Sequence, residues 1–298
     1  MGGVTVASPT ICLTGCMIND KAMQDTPSLN QCSLPKFARL PINRCNLPAS
    51  ILGSLTFQHH PARLRIDGVA EIYKDIFERL EKLHNAVVRA KHFMHYMSVQ
   101  FMLEQPEEMG FMETSRRDRS KATYLRLIRG WFFNPDSVEG AILKGWVESR
   151  FGLMPRFHNQ PIRSPRDECY TRYIQEWAQG LYNTNALETQ LDLLYTYCQL
   201  ELEKKYGNQA HITLYRGFNK LSDYEIFAKT REGYQTVLLN NVNSFSASRE
   251  RADEFGDYVM QVNIPLSKII FYKALLPGML AGEDEYVVIG GLYHVKLL

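Results

Sequence analysis

The sequence lacks the common signatures of nucleotide and hydrolase sites: it has no GxGxxG behind a strand, no GxxxxGKS/T, no HExxH and no GxSxG. A dinucleotide bound by this chain is therefore bound outside the Rossmann manner. Cysteine is sparse. The six residues (Cys12, Cys16, Cys32, Cys45, Cys169, Cys198) include no CxxC pair and are spread through a chain too large to need disulfide staples, the pattern of reduced thiols in a cytoplasm. No apolar run approaches the roughly 18 residues of a membrane span, so a soluble protein is expected. Charge of one sign is missing as well: a net charge of +2 excludes the basic footprint of a nucleic-acid binder. The histidine groupings, His59-His60 and His92 with His95, have no cysteine or carboxylate companions at ligand spacing, which predicts no metal site. No internal repeat or low-complexity tract is visible.

What is present is an ordinary globular composition, 45% hydrophobic and 22% charged over 298 residues, enough to bury a sizeable core. Residues 1–18 carry no charged side chain, and Leu13-Thr14-Gly15-Cys16 has the outline of a lipoprotein cleavage site. The segment lacks a basic n-region and is broken by Thr, Ser and Pro9; Val6 stands where a myristoylation motif wants Ser or Thr. A loose tail over 1–34 is expected, followed by a single domain over 35–298. Arg116, Arg117, Arg119, Arg126 and Arg129 read as a solvated helix face, with a docking patch for an acidic partner as the alternative.

Apolar residues at helical spacing (Ile72, Ile76, Leu80, Leu83, Val87, Ala90, Met94, Met97, Phe101) predict one long helix or two in tandem over 67–104. Further helices are expected over 118–131, 136–151, 167–182 and 184–206, with Thr184 or Asn185 as a cap and Gly207 as a stop. A proline-rich surface loop is expected over 152–165. Beyond Gly207 the period changes. Short β-branched and aromatic runs over 211–218, 235–242, 258–264, 268–272 and 286–297 read as strands, interrupted by a short helix over 249–255. Helices followed by strands indicate an α+β fold, mainly helical over 35–207 and mainly strand over 208–298.

Three polar features stand on those strands. Arg216 is a charge inside the apolar run Thr213-Leu214-Tyr215-Arg216-Gly217-Phe218. Ser246 lies in Ser244-Phe245-Ser246-Ala247-Ser248, where alternation sends it to the face opposite Phe245 and Ala247. Glu283 and Glu285, in Glu283-Asp284-Glu285-Tyr286, share a face if the segment is extended. Each alone has a bland reading: a buried arginine paired to an acid, serines at a strand end, solvated carboxylates.

Their order, Arg then Ser then Glu-x-Glu on successive strands, resembles the R-S-E triad of the arginine-specific ADP-ribosyltransferases over residues 208–298, including the Ala252 and Phe255 helix and the Val262-Asn263-Ile264-Pro265 strand. A second resemblance spans nearly the whole chain. Asn46-Leu47-Pro48 with Ile51-Leu52-Gly53-Ser54-Leu55-Thr56-Phe57-Gln58, Arg119-Ser120-Lys121-Ala122 to Arg129-Gly130-Trp131, and Leu143-Lys144-Gly145-Trp146-Val147-Glu148-Ser149-Arg150-Phe151-Gly152 with Pro155-Arg156-Phe157-His158 are similar to the NAD-dinitrogenase-reductase ADP-ribosyltransferases of nitrogen-fixing bacteria.

The resemblance implies a helical half packed on a mixed β-sandwich core of the ADP-ribosyltransferase type. It also implies NAD as co-substrate, an arginine of the nitrogenase iron protein as target, inactivation of that enzyme, and a PII-type signalling protein as regulator. On this reading Glu285 stabilises the oxocarbenium-like ribose, Ser246 holds that carboxylate, and Arg216 grips NAD through its planar fork. Gly217 brings backbone close to the nicotinamide amide, and Glu283 offsets or deprotonates the acceptor guanidinium. A transferase with another protein target and a silent NAD-fold interaction module are the competing readings.

Overall fold

The computed structural model describes residues 33–103, 122–181, 186–220, 224–229, 233–279 and 284–298. The expected tail, but for its last two residues, lies outside them, as do Arg116, Arg117, Arg119 and the cap candidates Thr184 and Asn185.

Two short helices, α1 (Ala49–Leu52) and α2 (Leu55–His59), open the described fold, α2 capped by Ser54 Oγ, which accepts from the Phe57 N–H at 3.2 Å. The helix expected over 67–104 is divided into α3 (Val69–Ile72), α4 (Lys74–Glu81) and α5 (Ala86–Phe101). Tyr73 leaves helical geometry at φ −108° and ψ 27°, and Asn85 starts α5 by accepting from the N–H groups of Val87 and Val88. These breaks turn the apolar stripe. Ile76, Leu80, Ala90 and Met97 are buried as their spacing requires, whereas Ile72 is 75% exposed and Val87 48%.

Then come α6 (Tyr124–Phe133), α7 (Val138–Phe151), α8 (Glu168–Gly180) and α9 (Ala186–Tyr206), close to the expected spans. Helix α7 is buried almost all round, and its polar side chains are each matched to a partner, as burial demands. Lys144 Nζ donates to Asp136 at 2.7 Å, Glu148 accepts from Tyr170 and Tyr173 at 2.6 and 2.9 Å, and Arg150 forks onto Asp192 at 2.8 and 2.9 Å. The Trp146 indole N–H donates to the same Asp192 at 2.6 Å.

The proline-rich stretch after α7 is not a surface loop throughout. It forms a two-residue hairpin, β1 (Phe157–His158) with β2 (Gln160–Pro161), turning at Asn159 (φ 57°), and it buries Leu153, Met154, His158 and Ile162. Burial is tolerated because side-chain amides satisfy its backbone: Asn241 Nδ2 donates to Leu153 O at 3.0 Å and Asn240 Nδ2 to Phe157 O at 2.9 Å.

The strands are β3 (His211–Phe218), β4 (Glu225–Lys229), β5 (Tyr234–Ser246), β6 (Tyr258–Pro265), β7 (Ile269–Tyr272) and β8 (Glu285–Leu297), with α10 (Arg249–Asp253) between β5 and β6. Every pairing is antiparallel, in the order β4-β5-β3-β6-β8-β7, and β5 also pairs with β8 so that β3, β5, β8 and β6 close a ring. The α+β architecture is the expected one; the edge strand β4 was not foreseen. On β5 a bulge sets Asn240 and Asn241 against Gly290 between the pairs Leu239↔Gly291 and Val242↔Ile289.

One apolar cluster runs from Leu34 in the helical layer to Val295 in the sheet. Helix α9 lies on β7, with Gln199 Nε2 donating to Ile269 O at 2.8 Å and Tyr195 OH to Ser267 O at 2.8 Å. Where β6 and β8 separate, Gln58 of α2 fills the fork: its amide nitrogen donates to Asn263 O and His294 O at 3.2 Å each, and its oxygen accepts from His294 N–H at 2.6 Å.

Beneath the sheet Lys268 is fully buried, donating to Gly290 O at 2.9 Å with its Nζ 4.6 Å from the Tyr293 ring centre. Burial pushes its pKa down to about 7, against an ordinary value of about 10.4. Between those two values the unfolded chain holds a proton that the folded one lacks, so stability rises with pH there, by at most about 1.4 kcal/mol per pH unit. We expect Lys268→Met to be more stable than the parent near pH 6.5 and to lose that advantage steadily up to pH 10, measured by urea unfolding across the range. Parallel stability curves for the two proteins would contradict the assignment.

Candidate active site

Strand β3 pairs with β6 along its whole length, from His211↔Pro265 to Phe218↔Tyr258, but meets β5 only at Tyr215↔Ser246. Past that point β3 and β5 diverge, and a cleft opens between them. Helix α10 borders it, begun by Ser248 Oγ accepting from the Arg251 N–H at 3.2 Å. This helix seats directly on Gly217, where an added Cβ would lie 1.9 Å from the Ala252 carbonyl oxygen. Gly217 is therefore required by packing, whatever its backbone does toward a ligand.

Arg216 spans the parting. Its Nη1 donates to the Ser244 carbonyl at 2.6 Å, a group that an unbroken ladder would satisfy from backbone, and its Nε donates to Tyr224 OH at 3.2 Å. Glu285, the first residue of β8 and half-buried, pairs in register with Ser246. Burial pushes its carboxyl above the ordinary carboxylate range, opposed by a hydrogen bond from the Ser244 hydroxyl and by the charge of Arg216. The Ser244 hydroxyl in turn accepts from the Trp131 indole N–H of α6 at 3.0 Å.

The structure thus brings Arg216, Gly217, Ser246 and Glu285 to one cleft of about 760 Å³, with Trp131, Phe255 and Arg251 also in its wall. The hydroxyl that bears on the Glu285 carboxyl, however, is that of Ser244, diagonal to it across the β5–β8 ladder. Ser246 Oγ instead accepts from the Ser248 N–H at 3.1 Å, so it shapes the turn into α10. The sequence held a signal for Ser244, since it lies two residues before Ser246 on the same strand face. Asp284 has a left-handed backbone (φ 46°), so extended geometry begins only at Glu285. Glu283 lies outside the described residues, as do residues 280–282 of the loop before it.

A second cleft of about 860 Å³ adjoins the first, sharing Trp131, Pro135, Arg216, Gly217 and Ser244. Both volumes suit a ligand of cofactor size, for which sites run to about 300–1,000 Å³. Its wall carries Lys144, Arg156 and Arg163 against Asp136 and Glu225. The Lys144 ammonium is held between Asp136 and His158 Nδ1, 3.1 Å away, while His158 Nε2 meets Glu176 at 2.8 Å. Burial lowers the pKa of both Lys144 and His158, and the lysine charge lowers that of the histidine further. Among the described residues no group of three or more His, Cys, Asp or Glu side chains could hold a metal ion, and no helix is long and apolar enough to cross a membrane.

No solved structure matches this chain at a significant level. A curated relative from Rhodospirillum rubrum, NAD(+)--dinitrogen-reductase ADP-D-ribosyltransferase, is 37% identical over 258 residues, which is 85% of this chain and 93% of the relative. Residues 42–297, which hold the parted strands, Arg216, Ser244 and Glu285, match the family described as dinitrogenase reductase ADP-ribosyltransferase. The chain belongs to the dinitrogenase reductase ADP-ribosyltransferase family.

Proposed function

We propose that this chain transfers ADP-ribose from NAD to an arginine side chain of dinitrogenase reductase, releasing nicotinamide and inactivating the acceptor. The observation that carries this reading, in a member of that family, is a half-buried carboxylate, Glu285, in one cleft wall with Ser244 and Arg216, which also line a second ligand-sized cleft.

Cleavage of the nicotinamide–ribose bond builds positive charge on the sugar, as in glycoside hydrolysis. Glu285 is the fixed negative charge that stabilises it and the acceptor for a ribose hydroxyl. A carboxylate already oriented by Ser244 and Arg216 costs no reorganisation when that charge develops. Arg216 uses Nη1 and Nε to brace Ser244 and Tyr224, which among the described residues leaves Nη2 for a diphosphate oxygen. The exposed ring of Phe255 offers a flat face for nicotinamide in the same cleft as Glu285. The ADP half then lies in the second cleft, where Lys144, Arg156 and Arg163 supply cationic wall.

Glu283 is assigned to the acceptor. A guanidinium with pKa above about 12 is a poor nucleophile until its charge is offset or a proton removed, and a nearby carboxylate does either. We read residues 35–298 as one catalytic unit working in the cytoplasm, with a PII-type signalling protein as a regulator suggested by kinship with the family.

Labelled NAD mixed with purified iron protein, followed by mass spectrometry, tests the reading: label on an arginine of the iron protein is expected, and label elsewhere or unconsumed NAD defeats it. Glu285→Gln should abolish both nicotinamide release and transfer, whereas Glu283→Gln should abolish transfer and retain NAD hydrolysis. Equal loss of both activities in the two variants would remove the division of labour. Arg216→Lys should weaken NAD binding, because an ammonium cannot reproduce the guanidinium fork; an unchanged dissociation constant by calorimetry would count against it. Because Glu285 works ionised and burial raises its pKa, activity should fall with decreasing pH well before the ordinary glutamate value of about 4.3 is reached. An acid limb at or below that value would contradict this placement.

A further inference from the structure

Ser244 is gripped twice. Arg216 binds its carbonyl from β3 at 2.6 Å, and Trp131 binds its hydroxyl from α6 at 3.0 Å. The second contact has a direction that chemistry fixes. An indole N–H is a donor only, whereas a serine hydroxyl has one hydrogen to give and lone pairs to receive with. When Trp131 donates to Ser244 Oγ, it occupies a lone pair and leaves the single hydroxyl hydrogen for another acceptor. The carboxylate on the same face is that of Glu285, diagonal to Ser244 across the β5–β8 ladder and in the same cleft wall. A hydroxyl that could otherwise rotate is thereby left with its hydrogen for the acid.

The position of Trp131 is determined by packing on several sides. Its side chain is buried to 3% exposure. Gly130 beside it has no room for a Cβ, which would fall 2.5 Å from the Glu139 side chain, so α6 lies tightly on α7. At the start of the helix Gln190 of α9 accepts from the Tyr124 N–H at 2.8 Å and donates to Ala122 O at 3.1 Å. The neighbouring Phe132 meets Phe271 of β7 edge to face at 6.0 Å. Three elements thus hold α6, and α6 aims one N–H at the cleft.

We propose that Trp131 is a positioning residue for the transfer reaction, acting through Ser244: its indole N–H commits the serine hydroxyl hydrogen to Glu285. This rests on the reading of Glu285 as the carboxylate at the ribose. The helical layer, on this account, contributes directly to the charge and orientation of the acid on β8. Without the indole N–H, the Ser244 hydroxyl is released to other acceptors and only Arg216 opposes the effect of burial on Glu285.

The test is nicotinamide release from NAD, followed from pH 5 to 8.5 in the parent, Trp131→Phe, Ser244→Ala and the double variant. Trp131→Phe keeps an aromatic ring and deletes the donor. We expect kcat to fall about tenfold, the worth of one hydrogen bond of about 1.4 kcal/mol, while the KM for NAD stays within about twofold. The acid limb of its profile should move to higher pH, as should that of Ser244→Ala. In the Ser244→Ala background the tryptophan change should alter neither kcat nor the limb, because its only route to Glu285 is gone.

An acid limb in Trp131→Phe that overlays the parent's, or losses that multiply in the double variant, would overturn the proposal and leave the assignment of Glu285 standing. A parent that releases no nicotinamide would sink that assignment first and the proposal with it. Should Trp131→Phe fail to fold, the parent provides an independent reading through the indole N–H resonances of its three tryptophans. One of them should shift with pH as Glu285 titrates and cease to do so in Ser244→Ala; three insensitive resonances would overturn the proposal.

Discussion

The site depends on a ladder that stops early. β3 and β5 share one pair, Tyr215↔Ser246, and then separate, which opens a cleft at the cost of leaving strand backbone without strand partners. Unsatisfied buried backbone is expensive, so the cleft persists only if side chains replace the missing ladder. Arg216 does so at Ser244, and in the process its guanidinium is fixed in the cleft that Glu285 also lines. The same device recurs where β6 and β8 diverge, with the Gln58 amide in place of an arginine. Closing the sheet into a ring leaves such forks, and the chain fills one with an amide and the other with a guanidinium.

The helical layer is more than a support for the sheet. The polar side chains of α7 are buried with matched partners, and a chain of contacts runs from Asp136 and Lys144 in the wall of the second cleft to His158 and Glu176 behind it. Buried ion pairs contribute little net stability compared with apolar packing of equal volume, but breaking one side is costly. Such a network therefore favours one arrangement of α7, α8 and the β1–β2 hairpin over near alternatives.

Much of the fold was legible because its period is clean. β3 was read over its observed span, and α7, α8 and α9 nearly so, since each presents an unbroken apolar rhythm. The stretch over 67–104 was misread where local capping overrode rhythm: Asn85 restarts the helix and rotates its stripe, exposing Val87. The buried segment after α7 was unreadable for another reason, because the amides that satisfy it, from Asn240 and Asn241, lie some 80 residues away in the chain. In the site, Arg216 and Glu285 stood out as charges at apolar strands. The choice between Ser244 and Ser246 did not, because both face the same way and only Trp131 and the start of α10 distinguish them.

The bulge on β5 settles which side chains reach that cleft at all. Before it, Val237 and Leu239 lie opposite Tyr293 and Gly291; after it, Ser244 and Ser246 lie opposite Val287 and Glu285. Side chains in a strand alternate with a period of two, so one extra residue at Asn240–Asn241 changes odd-numbered positions for even-numbered ones on the face that Glu285 occupies. Were the N-terminal register to run on without the bulge, Asn243 and Phe245 would stand opposite Val287 and Glu285 in place of the two serines. The bulge, several residues along the strand from the carboxylate, decides whether it is met by hydroxyls or by a phenyl ring.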